Sequence, residues 1–312
     1  MTDTENSGKR EFSQQRNDDA LRFDLCRLIE LAIREDLGRS FDITTVAIVP
    51  EDAQASATVV ARVAGVAAGL DLVPLMVETI GCPLRVEQLV SDRGQFGAGE
   101  SLLKLEGAAR DILTCERTIL NFLGRLCGIA TKTAEYVSRI QELPTDVYDT
   151  RKTTPGWRRL EKYAVGCGGG RNHRNGLHDA ILIKDNHLAC RTQLTGNRLG
   201  LAEAVEMARS FLVEQPDADS DAMLEIEVDT LEQFREVLPA SPDIVLLDNM
   251  SLEQLRGAVA LRSELNPGVQ LEASGGVTLE TLRGIAETGV DRISVGALTH
   301  SATNLDLGLD WN

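Results

Sequence analysis

Residues 244–264 read IVLLDNMSLEQLRGAVALRSE, a short apolar run followed by an amphipathic pattern. The run has the length of a strand over 244–248, and the pattern after it predicts a helix over 251–264. A strand that leads directly into a helix is one unit of an α/β fold, in which successive strands lie parallel. This stretch therefore predicts the fold class of the chain around it.

The same alternation recurs throughout the chain after Pro144. Because strands and helices alternate, we expect parallel strands with right-handed crossovers, in either a doubly wound sheet or a barrel. Six strands are predicted, and residues 162–168 are a candidate for a seventh, which is fewer than the eight of a complete barrel. The other apolar runs are 146–150, 180–184, 223–229, 269–273 and 291–296, and the other helical patterns are 200–214, 230–238 and 278–288.

The N-terminal part of the chain has a different pattern, in which short strands and helices are mixed. Leu and Ile residues at helical spacing predict a helix over 18–37 that ends at Gly38, and a long helix is expected over 109–141. The polar residues 1–17 are expected to form a disordered tail. An α+β domain is predicted between the tail and the long helix, with strands over 55–68, 84–92 and 100–105 and a helix over 70–80.

The charge balance of the chain excludes several classes of function. Among 312 residues, 48 are acidic and 32 are Lys or Arg, so the formal charge is −16. Nucleic acids and anionic membrane surfaces are bound through clustered cations, and we therefore expect neither as a partner. The most apolar long stretch, 63–80, is interrupted by charged residues and a proline, so no membrane span is predicted. The six cysteines form no C-x-x-C pair, which favours free thiols and a cytoplasmic location.

Polar residues follow each predicted strand of the C-terminal part at the point where the strand ends. In an α/β barrel the carboxyl ends of the strands form the active-site face. Loops after strands are polar in most proteins, but these ends carry charged residues and glycine pairs, which favours a functional site. The strand-end residues are Thr150, Arg151, Lys152, Lys184, Glu227, Asp248, Ser274, Gly275, Gly276 and Gly296.

The basic residues are concentrated in one window of the sequence. Residues 148–187 contain eight Lys and Arg against four acidic residues, whereas the chain as a whole is strongly acidic. Such a cluster is typical of a pocket for a ligand with several carboxylates or phosphates, since charge-assisted hydrogen bonds contribute about 1.5–3 kcal/mol each.

Two glycine loops follow the last two predicted strands. Ser274-Gly275-Gly276 precedes a helix, and Val295-Gly296-Ala297 follows the next strand. Paired loops of this kind on the final strands of a barrel present backbone N–H groups to a phosphate. Ordinary turn glycines are the alternative interpretation of either loop taken alone.

Several blocks of the sequence resemble the quinolinate phosphoribosyltransferase family. The main block is TRKTTPGWRRLEKYAVGCGGGRNHRNGLHDAILIKDNH, over 150–187. The resemblance extends to nearly everything after the first 17 residues. The other blocks are 34–45, 115–131, 225–233, 243–251, 271–280 and 288–302.

The resemblance implies a fold, a reaction and an assembly. It implies an N-terminal α/β sandwich over 18–128, completed by the returning residues 297–312, and an incomplete α/β barrel of six or seven strands over 129–296. The implied reaction joins quinolinate to 5-phosphoribosyl 1-pyrophosphate and releases pyrophosphate and CO₂. The product is nicotinate mononucleotide, a precursor of NAD. It also implies Mg²⁺, bound mainly through the pyrophosphate substrate, and a homodimer.

The same resemblance implies roles for individual residues. Arg117 would be lent by the neighbouring subunit, and Lys152 and Lys184 would meet the pyrophosphate region. Glu227 and Asp248 would bind the ribose hydroxyls, and with the two lysines they are the predicted catalytic residues. The cluster gripping the two carboxylates of quinolinate would be Arg151, Lys152, His173 and Arg174, with Thr150 beside it. The 5′-phosphate would be bound by the backbone of Ser274, Gly275, Gly276, Val295, Gly296 and Ala297.

Two other interpretations stay open at the level of sequence. Lys184 at a strand end is also the position of a Schiff-base lysine in an aldolase on a barrel. A related group of proteins associated with molybdenum transport shares much of the pattern, so a non-catalytic sensor of a phosphorylated ligand is a further alternative.

Overall fold

The structure is a computed structural model that describes residues 10–215 and 221–311. Its strands are β1 (Gln54–Ala61), β2 (Gly65–Val66), β3 (Arg85–Gln88), β4 (Gln95–Phe96), β5 (Ser101–Ala108), β6 (Asp146–Tyr148), β7 (Ala180–Ile183), β8 (Met223–Val228), β9 (Ile244–Asp248), β10 (Gln270–Ser274), β11 (Arg292–Ser294) and β12 (Leu307–Trp311).

The helices occupy most of the segments between these strands. Two of them are short 3₁₀ helices, Leu70–Leu72 and Leu238–Ala240. The α-helices are α1 (Asp19–Leu37), α2 (Ile43–Ile48), α3 (Val73–Ile80), α4 (Ala109–Ser138), α5 (Arg158–Cys167), α6 (Asp185–Thr195), α7 (Leu201–Glu214), α8 (Leu231–Val237), α9 (Leu252–Leu265), α10 (Leu279–Ala286) and α11 (Ala297–His300).

The chain divides into two compact units. Within the described residues, unit 1 comprises 10–13, 138–151 and 172–295, and unit 2 comprises 14–137, 152–171 and 296–311.

Unit 1 is built on a parallel sheet with the strand order β6-β11-β10-β9-β8-β7. Every neighbouring pair in this order is parallel, which confirms the predicted α/β class. Tyr148 of β6 and Ala180 of β7 belong to strands at opposite ends of the order, yet both lie in one buried cluster with Phe12, Met223 and Ile244. The sheet therefore curves until its two edge strands approach one interior, as in an incomplete barrel.

Three helices of unit 1 begin at a Ser or Thr residue that caps the N-terminus of the helix. Ser251 caps α9 by accepting a hydrogen bond from the backbone N–H of Gln254, whose side chain reaches back to the backbone of Ser251. The same reciprocal cap starts α8 at Thr230 and α10 at Thr278. These caps satisfy N–H groups that a helix start leaves without partners, and they fix the length of each strand-to-helix loop.

The candidate seventh strand over 162–168 is wrong, because this segment belongs to the helix α5. Its buried residues Leu160, Tyr163, Ala164 and Cys167 recur at intervals of three and four, which is helical spacing. A short apolar run such as 163–165 is compatible with a buried strand as well as with a buried helix, and the helical period emerges only over the whole segment 158–167.

Unit 2 contains an antiparallel sheet with the order β12-β1-β5-β3. The helix α1 buries Leu21, Leu25 and Ile29, as its spacing predicted. The C-terminal strand β12 pairs with β1, and Ala57 lies opposite Trp311. The last residues of the chain thus lie where the family resemblance implied, as the fourth strand of the N-terminal sheet. No helix in the described part of the chain has an apolar stretch of membrane-spanning length.

The predicted domain boundaries differ from the compact units in two respects. A boundary at residue 129 would cut the continuous helix α4, and the structure assigns that helix up to Val137, together with residues 152–171, to unit 2. The predicted tail over 1–17 is also wrong in part, since Phe12 and Gln15 are buried. The Phe12 side chain belongs to the buried cluster of unit 1. Residues 1–9 lie outside the described residues.

The helix α4 comes unusually close to the chain near Thr303 in unit 2. The carbonyl oxygen of Gly124 accepts a hydrogen bond of 2.8 Å from the backbone N–H of Leu305. A Cβ atom on Gly128 would lie 2.0 Å from the carbonyl oxygen of Thr303, which is far inside van der Waals contact. Gly128 is therefore required by the close approach of two backbones rather than by its own dihedral angles.

A second structural determinant of unit 2 is the ion pair between Arg125 of α4 and Glu161 of α5. Arg125 donates to a carboxylate oxygen of Glu161 at 2.6 Å and to the carbonyl oxygen of Thr299 at 2.6 Å. Glu161 is fully buried, and the Thr154 hydroxyl donates to it at 2.8 Å. One ion pair thus connects α4, the loop before α5 and the segment after β11.

We expect Gly128→Ala to lower the free energy of unfolding by about 1–3 kcal/mol, because the added methyl group forces the two backbones apart. Urea unfolding followed by circular dichroism measures this. Gly166→Ala is the matched control: nothing lies within 4 Å of its added Cβ atom. In the interior of a helix, that change should stabilise by up to about 1 kcal/mol. Equal effects at both positions would contradict the close approach.

We expect Glu161→Gln to cost about 3 kcal/mol, because it leaves the guanidinium of Arg125 without its buried counter-charge. The same urea experiment checks it. The control is Glu30→Gln, which breaks the exposed pair between Arg27 and Glu30 and should change stability by less than about 0.5 kcal/mol. A loss at Glu161 as small as the loss at Glu30 would show that the buried pair contributes little.

Candidate active site

The parallel sheet of unit 1 brings most of the predicted site residues to one edge. All six strands run in the same direction, so their carboxyl ends meet along a single row. In the order of the strands from β6 to β7, the residues along this row are Thr150 and Arg151, then Val295, then Ser274 with Gly275 and Gly276, then Asp248, then Glu227, and finally Lys184.

Lys184 and Glu227 form an ion pair at one end of this row. The ammonium group of Lys184, at the end of β7, donates to a carboxylate oxygen of Glu227, at the end of the neighbouring strand β8. The Lys184 side chain is 41% exposed and that of Glu227 is 13% exposed. The pair therefore presents a cation to solvent above a carboxylate that is mostly covered.

The ends of β9 and β10 are joined by a tight network. Asp248 lies opposite Ser274 in the strand register, and the backbone N–H of Asn249 donates to the carbonyl oxygen of Ser274 at 2.9 Å. The Asn249 amide also donates to the Asp248 carboxylate at 2.6 Å. The carboxylate is thus oriented by its neighbour in the chain.

Gly275 is required in this network for two reasons. Its φ angle is +98°, in a region that side chains rarely adopt, and an added Cβ atom would lie 2.1 Å from the side-chain oxygen of Asn249. Gly276 follows with a φ of +56°. Two successive glycines in this conformation carry no side chains of their own over the backbone of the loop, as a loop that presents N–H groups to an anion requires.

The loop of Asn172, His173 and Arg174 is tied to the end of β6 through Asp149. The Asp149 carboxylate, which is fully buried, accepts hydrogen bonds of 2.8 Å from the backbone N–H of His173 and from the Asn172 amide. Arg174 is buried too and donates to the carbonyl oxygen of Ala180 at 3.0 Å. Asp149 therefore sets the position of this loop relative to Thr150 and Arg151.

His173 lies in a buried charged cluster with two glutamates. Its Nε2 atom is 3.0 Å from a carboxylate oxygen of Glu225 and 3.5 Å from one of Glu272. The hydroxyl of Ser294 donates to Glu272 as well. Both glutamates are completely buried, so their charges require partners within the cluster.

Two effects act in opposite directions on the charge of the His173 ring. Burial lowers the pKa of His173, but the charges of Glu225 and Glu272 outweigh it and raise the pKa to about 10. The backbone N–H of Arg174 donates to Nδ1 at 2.8 Å, which favours the neutral ring. Because Nδ1 accepts this hydrogen bond, it carries no proton in this arrangement, and the ring proton lies on Nε2, which faces the two glutamates. A second proton on the ring would break the hydrogen bond from Arg174.

The remaining predicted site residues belong to unit 2. The carbonyl oxygen of Lys152 accepts a hydrogen bond of 2.8 Å from the hydroxyl of Thr299. A Cβ atom on Gly296 would lie 3.0 Å from the Lys152 side chain, and Ala297 begins α11 directly after it. Arg117 lies on α4 with a side chain that is 66% exposed, 3.9 Å from the Glu116 carboxylate.

Three buried acidic residues lie beside the site without being predicted from the sequence. Asp149 is one of the acidic residues in the basic window, and Glu225 and Glu272 lie within apolar runs. One signal was available: Glu225 is two residues before Glu227, and Glu272 two before Ser274, so each pair shares a face of its strand. Phe12 gave no such signal, because it lies in a polar stretch.

Two family models and a curated relative match this chain, and all of them point to the same family. The family model for the quinolinate phosphoribosyl transferase C-terminal domain matches residues 129–310, and the model for the N-terminal domain matches residues 42–127. A nicotinate-nucleotide pyrophosphorylase (carboxylating) from Mycobacterium leprae is 43% identical over 291 residues, which cover 92% of this chain and 98% of the relative.

Two further relatives agree with this result. A probable nicotinate-nucleotide pyrophosphorylase (carboxylating) from Bacillus subtilis is 38% identical and covers 92% of this chain and 93% of its own length. The solved structure of the nicotinate-nucleotide pyrophosphorylase from Francisella tularensis superposes with a TM-score of 0.85 at 36% identity, over 97% of this chain and all of that one. With both domain models matched in order, the chain belongs to the quinolinate phosphoribosyltransferase family.

Proposed function

We propose that this protein transfers the phosphoribosyl group of 5-phosphoribosyl 1-pyrophosphate to quinolinate and removes a carboxylate. The products are nicotinate mononucleotide, pyrophosphate and CO₂, and the reaction supplies NAD biosynthesis. One observation carries the proposal beyond family membership. The parallel sheet places three features along the same row of strand ends: the ion pair of Lys184 and Glu227, the carboxylate of Asp248 and the loop of two successive glycines after β10.

The proposed quinolinate clamp uses the cations near β6. The Nε atom of Arg151 is buried and has no hydrogen-bond partner among the described residues, which leaves a donor for a substrate carboxylate. Arg174 adds positive charge to the loop that also carries His173, and Lys152 follows Arg151 directly in the chain. Charge-assisted bonds of this kind distinguish a dicarboxylate from a monocarboxylate.

The residues proposed for the phosphoribosyl group lie at the ends of the other strands. Glu227 and Asp248 would accept hydrogen bonds from the ribose hydroxyls, and Lys152 and Lys184 would face the pyrophosphate. The 5′-phosphate would lie on the backbone of Ser274, Gly275, Gly276, Val295, Gly296 and Ala297, where N–H groups replace its hydration.

The chemistry proceeds in two bond exchanges. The quinolinate nitrogen forms a bond to the ribose C1 atom while the bond from C1 to pyrophosphate breaks, and the electron pair leaves with the pyrophosphate. The carboxylates of Glu227 and Asp248 favour the positive charge that develops on the ribose, and the lysines offset the charge of the leaving group. The ring nitrogen is then cationic, so the ring accepts the electrons of the C2–carboxylate bond as CO₂ departs and a proton takes its place.

Mg²⁺ is proposed to arrive with the substrate. Among the described residues, His173, Glu225 and Glu272 are the group of possible ligands close enough to share an ion, and they are buried and already paired with one another. The strand-end carboxylates accept hydrogen bonds from Lys184 and Asn249. We therefore assign oxygens of the pyrophosphate and water molecules as the ligands of the ion. Mg²⁺ commonly keeps several of its waters and binds substrate phosphates. When bound, the ion would neutralise charge on the leaving group.

A homodimer and a cytoplasmic location complete the proposal. Arg117 is mostly exposed on α4, and its guanidinium lies 3.9 Å from the Glu116 carboxylate. This leaves its guanidinium available to a quinolinate carboxylate in a neighbouring subunit.

A Schiff-base role for Lys184 is disfavoured by its ion pair with Glu227, since an ammonium group that donates to a carboxylate has no lone pair to attack a carbonyl.

Purified protein is expected to form nicotinate mononucleotide from quinolinate and 5-phosphoribosyl 1-pyrophosphate in the presence of Mg²⁺. With nicotinate as acceptor, which lacks the 2-carboxylate, we expect kcat/KM to fall at least about 100-fold, because two buried charge-assisted bonds are lost. Chromatographic quantification of the product measures both. No product with quinolinate, or saturable quinolinate binding without turnover, would reject the enzyme in favour of a sensor.

Lys184→Ala should keep the fold but lower kcat by roughly 100-fold or more, because the leaving group loses a cation that acts in the transition state. Steady-state kinetics and a thermal unfolding curve separate the two effects. The control is Lys104→Ala, which removes a lysine of β5 that pairs with Glu106 in a similar way. Turnover that is equally unaffected in both variants would remove Lys184 from the reaction, and a borohydride-trapped adduct on the wild type would indicate the aldolase instead.

A further inference from the structure

The N-terminal segment, residues 10–13, is bound to the amino ends of neighbouring strands in unit 1. The Arg10 side chain pairs with Asp243, just before β9, at 2.7 Å. Its carbonyl oxygen accepts hydrogen bonds from the side chains of Gln270 at 2.8 Å and Arg292 at 2.9 Å, which are the first residues of β10 and β11. The backbone of the segment is thus fixed across three strands of the sheet.

The next two residues of the segment enter the interior of the unit. The carboxylate of Glu11 accepts a hydrogen bond of 2.7 Å from the Tyr148 hydroxyl and lies 3.2 Å from the guanidinium of Arg292. The Phe12 ring is 5% exposed and stacks on the His173 ring, with 4.4 Å between centroids and 28° between planes. The Arg292 guanidinium lies 5.3 Å from the centroid of the Phe12 ring.

The edges of the His173 ring are held by polar contacts, and Phe12 covers one of its faces. Nε2 faces Glu225 and Glu272, and Nδ1 accepts the backbone N–H of Arg174. These contacts lie in the plane of the ring and resist rotation within it, but they offer little resistance to tilting out of it. A stacked aromatic ring supplies that resistance, because the offset-stacked arrangement is one of the preferred geometries of aromatic pairs and the Phe12 ring occupies the space into which the ring would tilt.

We propose that Phe12 is a positioning residue for the loop 172–174, and that through His173 it sets the affinity of the site for quinolinate. The inference rests on the proposed function, in which His173 and Arg174 belong to the quinolinate clamp. Phe12 itself touches no substrate in this account. If the His173 ring tilts, the hydrogen bond from the Arg174 backbone to Nδ1 is lost. The backbone of Arg174, and with it the guanidinium proposed to bind quinolinate, then shifts.

The proposal predicts that a change at Phe12 affects the binding of quinolinate only. Glu227 accepts a hydrogen bond from Lys184, and Asp248 and Ser274 accept hydrogen bonds from Asn249, so these contacts of the phosphoribosyl site lie outside the loop 172–174. A change at Phe12 should therefore alter the KM for quinolinate and leave the KM for 5-phosphoribosyl 1-pyrophosphate nearly unchanged. A merely structural role would alter both, or only the thermal stability.

The test compares Phe12→Ala, Phe12→Leu and Phe12→Tyr in the full chain. We expect Phe12→Ala to raise the KM for quinolinate roughly tenfold, Phe12→Leu to raise it by less, and Phe12→Tyr, which keeps the aromatic face, to restore it to within about twofold. The Leu variant keeps most of the buried volume and serves if the Ala variant does not fold. The matched control is Phe234→Ala, which removes a fully buried ring of α8 in the same unit.

The ¹⁵N chemical shifts of the His173 ring, measured by NMR in the wild type and each variant, report the ring directly and need no turnover. Changed shifts in Phe12→Ala but not in Phe234→Ala, together with the selective KM effect, support the proposal. Unchanged shifts, equal effects on both KM values, or the same pattern in Phe234→Ala overturn it. If the wild type makes no nicotinate mononucleotide, the proposed function fails on that assay, while the shifts still decide whether Phe12 holds His173.

Discussion

The parallel pairing of six strands is the constraint on which the rest of unit 1 depends. Parallel strands expose their carboxyl ends at a single edge, so residues far apart in the chain, such as Lys184 and Ser274, end in one row. A strand in such a sheet must return by a crossover, and the helices capped by Thr230, Ser251 and Thr278 provide it. The topology of the sheet therefore determines which residues can meet at this edge, and the individual side chains determine what they can bind there.

The interior of unit 1 carries charge as well as apolar packing. Two fully buried glutamates are costly in a low-dielectric interior, and they are held by the ring of His173 and the hydroxyl of Ser294. An apolar core of the same volume would stabilise the unit as well or better. The cluster instead ties the loop of His173 to the strands that carry the site, and this connection accounts for charged residues where the fold alone would accept leucine.

The sequence predicted the elements well wherever one periodicity dominated. The strand over 244–248 and the helix α1 follow directly from their spacing, and the strand-end residues could be assigned to one face once the α/β class was known. Residues 162–168 were mispredicted because a short apolar run is compatible with either a buried strand or a buried helix. The segment around Phe12 was mispredicted as a tail because one aromatic residue among polar ones has no periodicity to detect.

The sequence by itself determined the fold class, the row of strand ends and the concentration of cations between residues 148 and 187, because all three depend on local pattern and on the geometry that parallel strands impose. Only the tertiary structure decided which groups meet. That Phe12 stacks on His173, that Asp149 binds the loop after α5 and that Glu161 holds Arg125 are contacts between segments distant in the chain. Burial and pairing of a side chain are properties of its three-dimensional neighbours, and the order of residues alone does not specify them.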